Sequence, residues 1–86
     1  MKPEEAETLA LKALSFLAQS PDELGRFVAV SGIFPDDLRL RAGDPEILAA
    51  VMDFILAEDS RVTGFCETLA ADPRLLYLAR RALPGG

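Results

Sequence analysis

The chain has no histidine and a single cysteine, Cys66, among its 86 residues. Without imidazole there is no histidine general base, no imidazole-paired nucleophile and no imidazole metal ligand. One thiol forms no internal disulfide and fits a reducing compartment. Its position beside Phe65, at an apolar place in the pattern, reads as a small buried hydrophobe. Bases are scarce: nine against fourteen acids, a net charge of −5. Such a balance repels phosphate backbones and anionic lipid. Long hydrophobic runs are missing too. The longest, Ile47 to Ala57, is about half a membrane span and is interrupted by Asp53. The start, Met1-Lys2-Pro3-Glu4-Glu5, carries acids where a signal peptide carries bases. No stretch alternates with the period of a half-buried strand, and no glycine-rich loop followed by lysine could cradle a phosphate. These absences predict a cytoplasmic protein that is not an enzyme, with no metal, no cofactor and no membrane contact.

What the chain does have is helix punctuation. Ser20-Pro21, Asp44-Pro45 and Asp72-Pro73 each precede a stretch with helical apolar spacing. A short polar side chain accepts the free amide hydrogens of a first turn. Proline fits the first helical position, where its missing donor would be unpaired anyway. The first helix is predicted over Pro3 to Ala18, with Leu9, Ala13, Phe16 and Leu17 inward. Ser20 followed by Glu23 reads as a capping box. The second helix turns Leu24, Phe27 and Val28 inward and ends near Ser31, with Gly32 as its left-handed closing residue. A short third helix follows Pro35, and Pro45 to Ala57 is apolar nearly all round, as a central helix must be. Val62, Phe65, Cys66 and Leu69 face inward on a fifth. A sixth, after Asp72-Pro73, is predicted to turn Leu75, Leu76, Ala79, Ala82 and Leu83 inward and Tyr77, Arg80 and Arg81 outward.

The predicted fold is all-α: one domain over 1–86, a compact bundle of five or six short helices around residues 45–57, with 84–86 a frayed tail. A shift of 38 residues carries Phe16, Phe27, Pro35, Leu38 and Leu40 onto Phe54, Phe65, Pro73, Leu76 and Leu78. The helices thus read as two pseudo-repeated units of long, medium and short helix. The expected core is Leu9, Phe16, Leu17, Leu24, Phe27, Val28, Leu38, Val51, Phe54, Ile55, Phe65, Leu69, Leu76 and Leu83.

Two function classes compete. The first is a protein-interaction module, hetero- or self-associating through a helical face. Its candidate surface is Tyr77, Arg80 and Arg81, residue types enriched among interface anchors. The second is a DNA-binding helix-turn-helix over 24–41, with Arg39 and Arg41 on the reading helix. That helix opens Pro35-Asp36-Asp37, placing carboxylates where phosphates would approach. The acid pairs Asp22-Glu23, Asp36-Asp37 and Glu58-Asp59 all stand at helix starts, where negative charge is simply stabilising.

The run Leu24-Gly25-Arg26-Phe27 through Ser31-Gly32-Ile33-Phe34-Pro35-Asp36-Asp37-Leu38-Arg39, followed by Ile47 to Leu56, resembles a family of short bacterial proteins. They are typically of this length and known only as a domain of unknown function. The resemblance extends from Leu9 to Arg81 and is most specific at the corner Gly32-x-x-Pro35-x-Asp37-Leu38-Arg39. The segment from Gly64 to Ala71 is less similar, since Gly64, Cys66 and Glu67 stand where the family has plainer aliphatic or alanine-rich sequence. The resemblance implies a small helical protein and supplies no activity, ligand or site residue.

Overall fold

In the computed structural model, which describes residues 1–85, proline occupies the first position of four helices. These are α1 (Pro3–Ala18), α2 (Pro21–Ser31), α3 (Pro35–Leu40) and α4 (Pro45–Leu56). α5 (Asp59–Leu69) and α6 (Arg74–Arg81) follow, and no strand occurs among the described residues. Ser20 Oγ accepts from the Glu23 amide at 3.4 Å, the first half of the expected capping box. Asp44 Oδ1 accepts from the Glu46 amide at 2.9 Å at the head of α4. Gly32 closes α2 at φ 73°, and its amide donates to the Val28 carbonyl. The last junction differs from expectation. Pro73 precedes the helix, and Asp72 Oδ1 accepts from the Arg74 amide at 2.9 Å, so the cap lies one step outside.

α4 is the central helix, as its all-round apolarity requires. Ile47, Leu48, Ala49, Val51, Met52, Phe54 and Ile55 are all buried, and α1 and α6 pack closely on it and on each other. The buried line of α1 is Ala6, Ala10, Ala13 and Leu17. Leu9 and Phe16, expected in the core, flank that line and are only half-buried. Alanine lets neighbouring backbones approach, and the larger side chains then splay to either side. Leu24, Val28 and Leu69 are likewise half-buried, and Leu75 is exposed rather than inward. Arg80 corrects the sequence reading in the other direction. Its side chain is mostly covered and donates to Asp53 Oδ1 at 2.6 Å and to the Pro84 carbonyl at 2.8 Å. Pro84 is therefore tied back; of the predicted frayed tail, Gly86 lies outside the described residues.

The 38-residue offset also relates several elements of the structure. It carries α2, 21–31, onto 59–69, the span of α5, and the end of α1 onto the end of α4. It also carries Gly32 onto Ala70, which closes α5 at φ 53°. The aromatic pairs cross between units. Phe16 meets Phe65 with ring centroids 5.4 Å apart, and their counterparts Phe54 and Phe27 meet at 5.5 Å. Such exchange of partners is what a two-fold relation between units produces. Residues on the axis must meet their own counterparts, and one pair does. Arg61 Nε donates to Glu23 Oε2 at 2.8 Å, 38 positions apart. The guanidinium also donates to the Phe54 carbonyl and lies 3.8 Å from the Phe54 ring centroid.

Candidate functional site

The two units diverge at their third helices, and there an apolar groove opens. It is bounded by α1, α2 and α3, encloses about 560 Å³, and is lined by Leu14, Leu24, Gly25, Val28, Leu38 and Arg39 among others. The lining is almost entirely carbon. Gly25 faces open space: a Cβ built there meets nothing within 4 Å. Leu24 and Val28 are half-buried because they form this wall rather than a closed core.

Sequence counterparts show why the groove stays open. Leu14, Leu24, Val28 and Leu38 correspond to Met52, Val62, Cys66 and Leu76, all of which are buried. Burial, and secondarily the nearby Asp72 carboxylate, push the Cys66 thiol above its ordinary range, which favours the neutral thiol at this apolar packing position. In the C-terminal unit α6 is capped by Asp72 and strapped to α4 by the Arg80–Asp53 ion pair. It also carries buried Ala79 beyond Leu76, and buried Leu83 just past its end. At the matching positions the N-terminal unit has Phe34, Ala42, Ser15, Arg41 and Pro45. None of these caps, straps or covers. α3 accordingly has six residues and buries only Leu38.

Arg39 supplies the charge at the groove. Five of the seven arginines lie in ion pairs: Arg26, Arg41, Arg61, Arg74 and Arg80. Arg39 and Arg81 have no carboxylate partner among the described residues. Arg41 is held by Asp44 at 2.5 Å, an ion pair that raises the guanidinium pKa and lowers that of the carboxyl through the hydrogen bond between them. The two arginines of the helix-turn-helix reading are thus separated. Arg39 borders the groove, whereas Arg41 lies past the end of α3 and is tied to the head of α4.

The predicted Tyr77, Arg80 and Arg81 surface is also divided. Tyr77 and Arg81 are exposed on the outer side of α6, while Arg80 is spent on Asp53 and Pro84. A second recess of about 310 Å³ lies near Phe16, Ser20, Glu23 and Arg61, where the ionic groups already satisfy one another. No group of three or more His, Cys, Asp or Glu placed to hold a metal occurs among the described residues. Nor is any described helix long and apolar enough to cross a membrane. Sequence reasoning missed Leu14, Gly25 and Pro35 as lining residues. The usable signal was what the offset fails to match: the absent counterparts of Asp72, Ala79 and Leu83.

Fold and groove define a small all-helical protein of six helices around α4, its surface closed by α6 in the C-terminal half and open at the groove in the N-terminal half. The chain belongs to a family described as protein of unknown function (DUF3572), whose model matches residues 3–86. Neither a curated protein nor a solved structure matches it.

Proposed function

We propose that the chain is a non-enzymatic protein-interaction module whose docking surface is the groove between α1, α2 and α3. One observation carries this reading: a concavity of about 560 Å³ lined by aliphatic carbon, with an unpaired arginine at its lip. Burying apolar surface is the main favourable term in protein association, and an arginine at the edge adds orientation. The lining has no carboxylate, hydroxyl or thiol to perform chemistry. The α6 surface is a weaker candidate, since it has lost Arg80 to the fold. Nucleic acid is disfavoured by the net charge of −5 and by Asp36 and Asp37 at the start of the would-be reading helix.

Gly25→Trp tests the reading with little threat to folding, because the indole enters open space on an exposed helix position. Affinity capture from the native cell is run in parallel on the unaltered chain, Gly25→Trp and Tyr77→Ala/Arg81→Ala, each checked by thermal melt. A stoichiometric protein kept by the unaltered chain and by the α6 variant, and lost by Gly25→Trp, is the expected result. The same proteins on all three would remove the groove from consideration.

A further inference from the structure

The groove has a shape and a charge that select its occupant. We infer that it seats an amphipathic helix of a partner protein, one carrying a carboxylate beside its aliphatic ridge. This rests on the docking reading above and names the partner's chemistry.

The closed unit supplies the first reason. There, residues matching the groove wall are covered, and α6 with the turn that follows it brings Leu76, Ala79 and Leu83 inward, at positions i, i+3 and i+7. In the open unit the matching positions after Leu38 are Arg41 and Pro45. Arg41 turns to Asp44, and Pro45 already begins α4. The chain therefore has no second turn to lay beside Leu14, Leu24 and Val28. An external helix with aliphatic side chains at that spacing supplies one, in the manner of helix-in-groove recognition.

Charge supplies the second reason. Arg39 is the charged residue of the lining, and on a chain with fourteen acids it has no carboxylate partner among the described residues. A guanidinium at the lip of an apolar groove favours a carboxylate in fork geometry. The net charge of −5 and the carboxylates of Asp36 and Asp37 at the start of α3 oppose a strongly acidic partner, as they do a phosphate backbone. The partner helix therefore carries a single carboxylate at Arg39 rather than an acidic face. A second copy of this chain fits poorly: its exposed leucine pair at helical spacing, Leu75 and Leu78, lies on α6, which would bring Arg74 and Arg81 towards Arg39.

The test uses fluorescein-labelled, alanine-based helical peptides with leucine at i, i+3 and i+7 and one glutamate walked along the polar edge. Fluorescence anisotropy against the full chain should show saturable binding for at least one glutamate position. Arg39→Glu should weaken that peptide about tenfold and recover affinity for the version with lysine in place of glutamate. Gly25→Trp should abolish binding of both. Failure of every peptide to bind, or binding indifferent to Arg39→Glu, overturns the assignment. So does dodecanoate saturating the Leu14, Val28 and Leu38 methyl shifts in NMR while the peptides do not. Concentration-dependent dimerisation blocked by Gly25→Trp would also overturn it, in favour of a second copy. If no peptide binds while Gly25→Trp still loses a captured protein, only the helical occupant falls. If capture is unchanged by Gly25→Trp, the docking reading falls with it.

Discussion

α3 and α6 occupy matching places in their units and have matching leucines, yet one is a six-residue corner and the other a fixed strut. Leu38 and Leu76 are both buried, so the apolar anchor is common to both. The differences lie around it. α6 begins on a carboxylate cap, where α3 begins on Phe34 with no side-chain cap. α6 is strapped by Arg80 to Asp53, where the matching pair is Ala42 and Ser15. Two further inward residues, Ala79 and Leu83, complete α6, and these have no apolar match. One anchor thus positions a helix, but cap, strap and second turn decide whether it closes the surface beneath. The open unit is where a partner can still contribute burial.

The largest test of this contrast is a pair of truncations. Leu76→Ala empties a site that is 0 % exposed, packed under a fixed helix, and should cost about 3–4 kcal/mol. Leu38→Ala, 8 % exposed at the edge of the groove, should cost about 1–2 kcal/mol, since α3 can settle and solvent can enter. Urea unfolding followed by circular dichroism measures both. Equal costs would mean that α3 is as firmly held as α6, and the open unit would not be open.

Much of this contrast could be read from the chain, though not all. Ser20-Pro21 and Asp44-Pro45 marked the starts of α2 and α4, because a missing amide donor and a short acceptor leave few alternatives, whereas after Asp72-Pro73 the helix begins one residue later. The apolarity of 45–56 marked the centre. The alanine line of α1 was not legible in the same way. Alanine adds little to an apolar face, and its value comes from the close approach of α4 and α6, a tertiary fact. Arg80 read as a surface residue because its partner Asp53 lies 27 positions away. The groove was the hardest part, since it arises from what one unit lacks. Only the Leu38–Leu76 match, with Arg41 and Pro45 standing where Ala79 and Leu83 turn inward, hinted at it.

The closing residues of α2 and α5 sharpen the two-unit description at about 1 kcal/mol. Gly32 and Ala70 are offset counterparts, and both adopt positive φ, 73° and 53°. Left-handed backbone costs a non-glycine residue roughly 1–2 kcal/mol relative to the right-handed form. Ala70→Gly should therefore stabilise the chain by about 1 kcal/mol, and Gly32→Ala should destabilise it by a similar amount. Gly32 is not crowded, since an added Cβ there meets nothing within 4 Å, so backbone conformation alone sets the sign at that position. Opposite shifts in the urea midpoint are expected. A destabilising Ala70→Gly would mean that the second unit closes its helix for some other reason than the first.

The smallest effect concerns the caps. The Asp72 carboxyl is held down to about 2, from 3.8, first by the Arg74 side chain and then by the Arg74 amide. A carboxyl whose folded pKa is depressed stabilises the fold above its unfolded value and loses that contribution as pH falls towards the folded one. Asp72→Asn should therefore lower the thermal midpoint slightly at neutral pH, and the difference should fade between pH 3.8 and about 2. The complementary change gives α3 the cap it lacks. Phe34 is 73 % exposed and has extended backbone, so Phe34→Asp can accept the amides of the first turn without disturbing the core. Its expected gain is about 0.5–1 kcal/mol at neutral pH. Slower amide exchange across 35–40 in Phe34→Asp would show the open unit becoming more like the closed one. Unchanged exchange there would mean that the strap and second turn, rather than the cap, keep α6 in place.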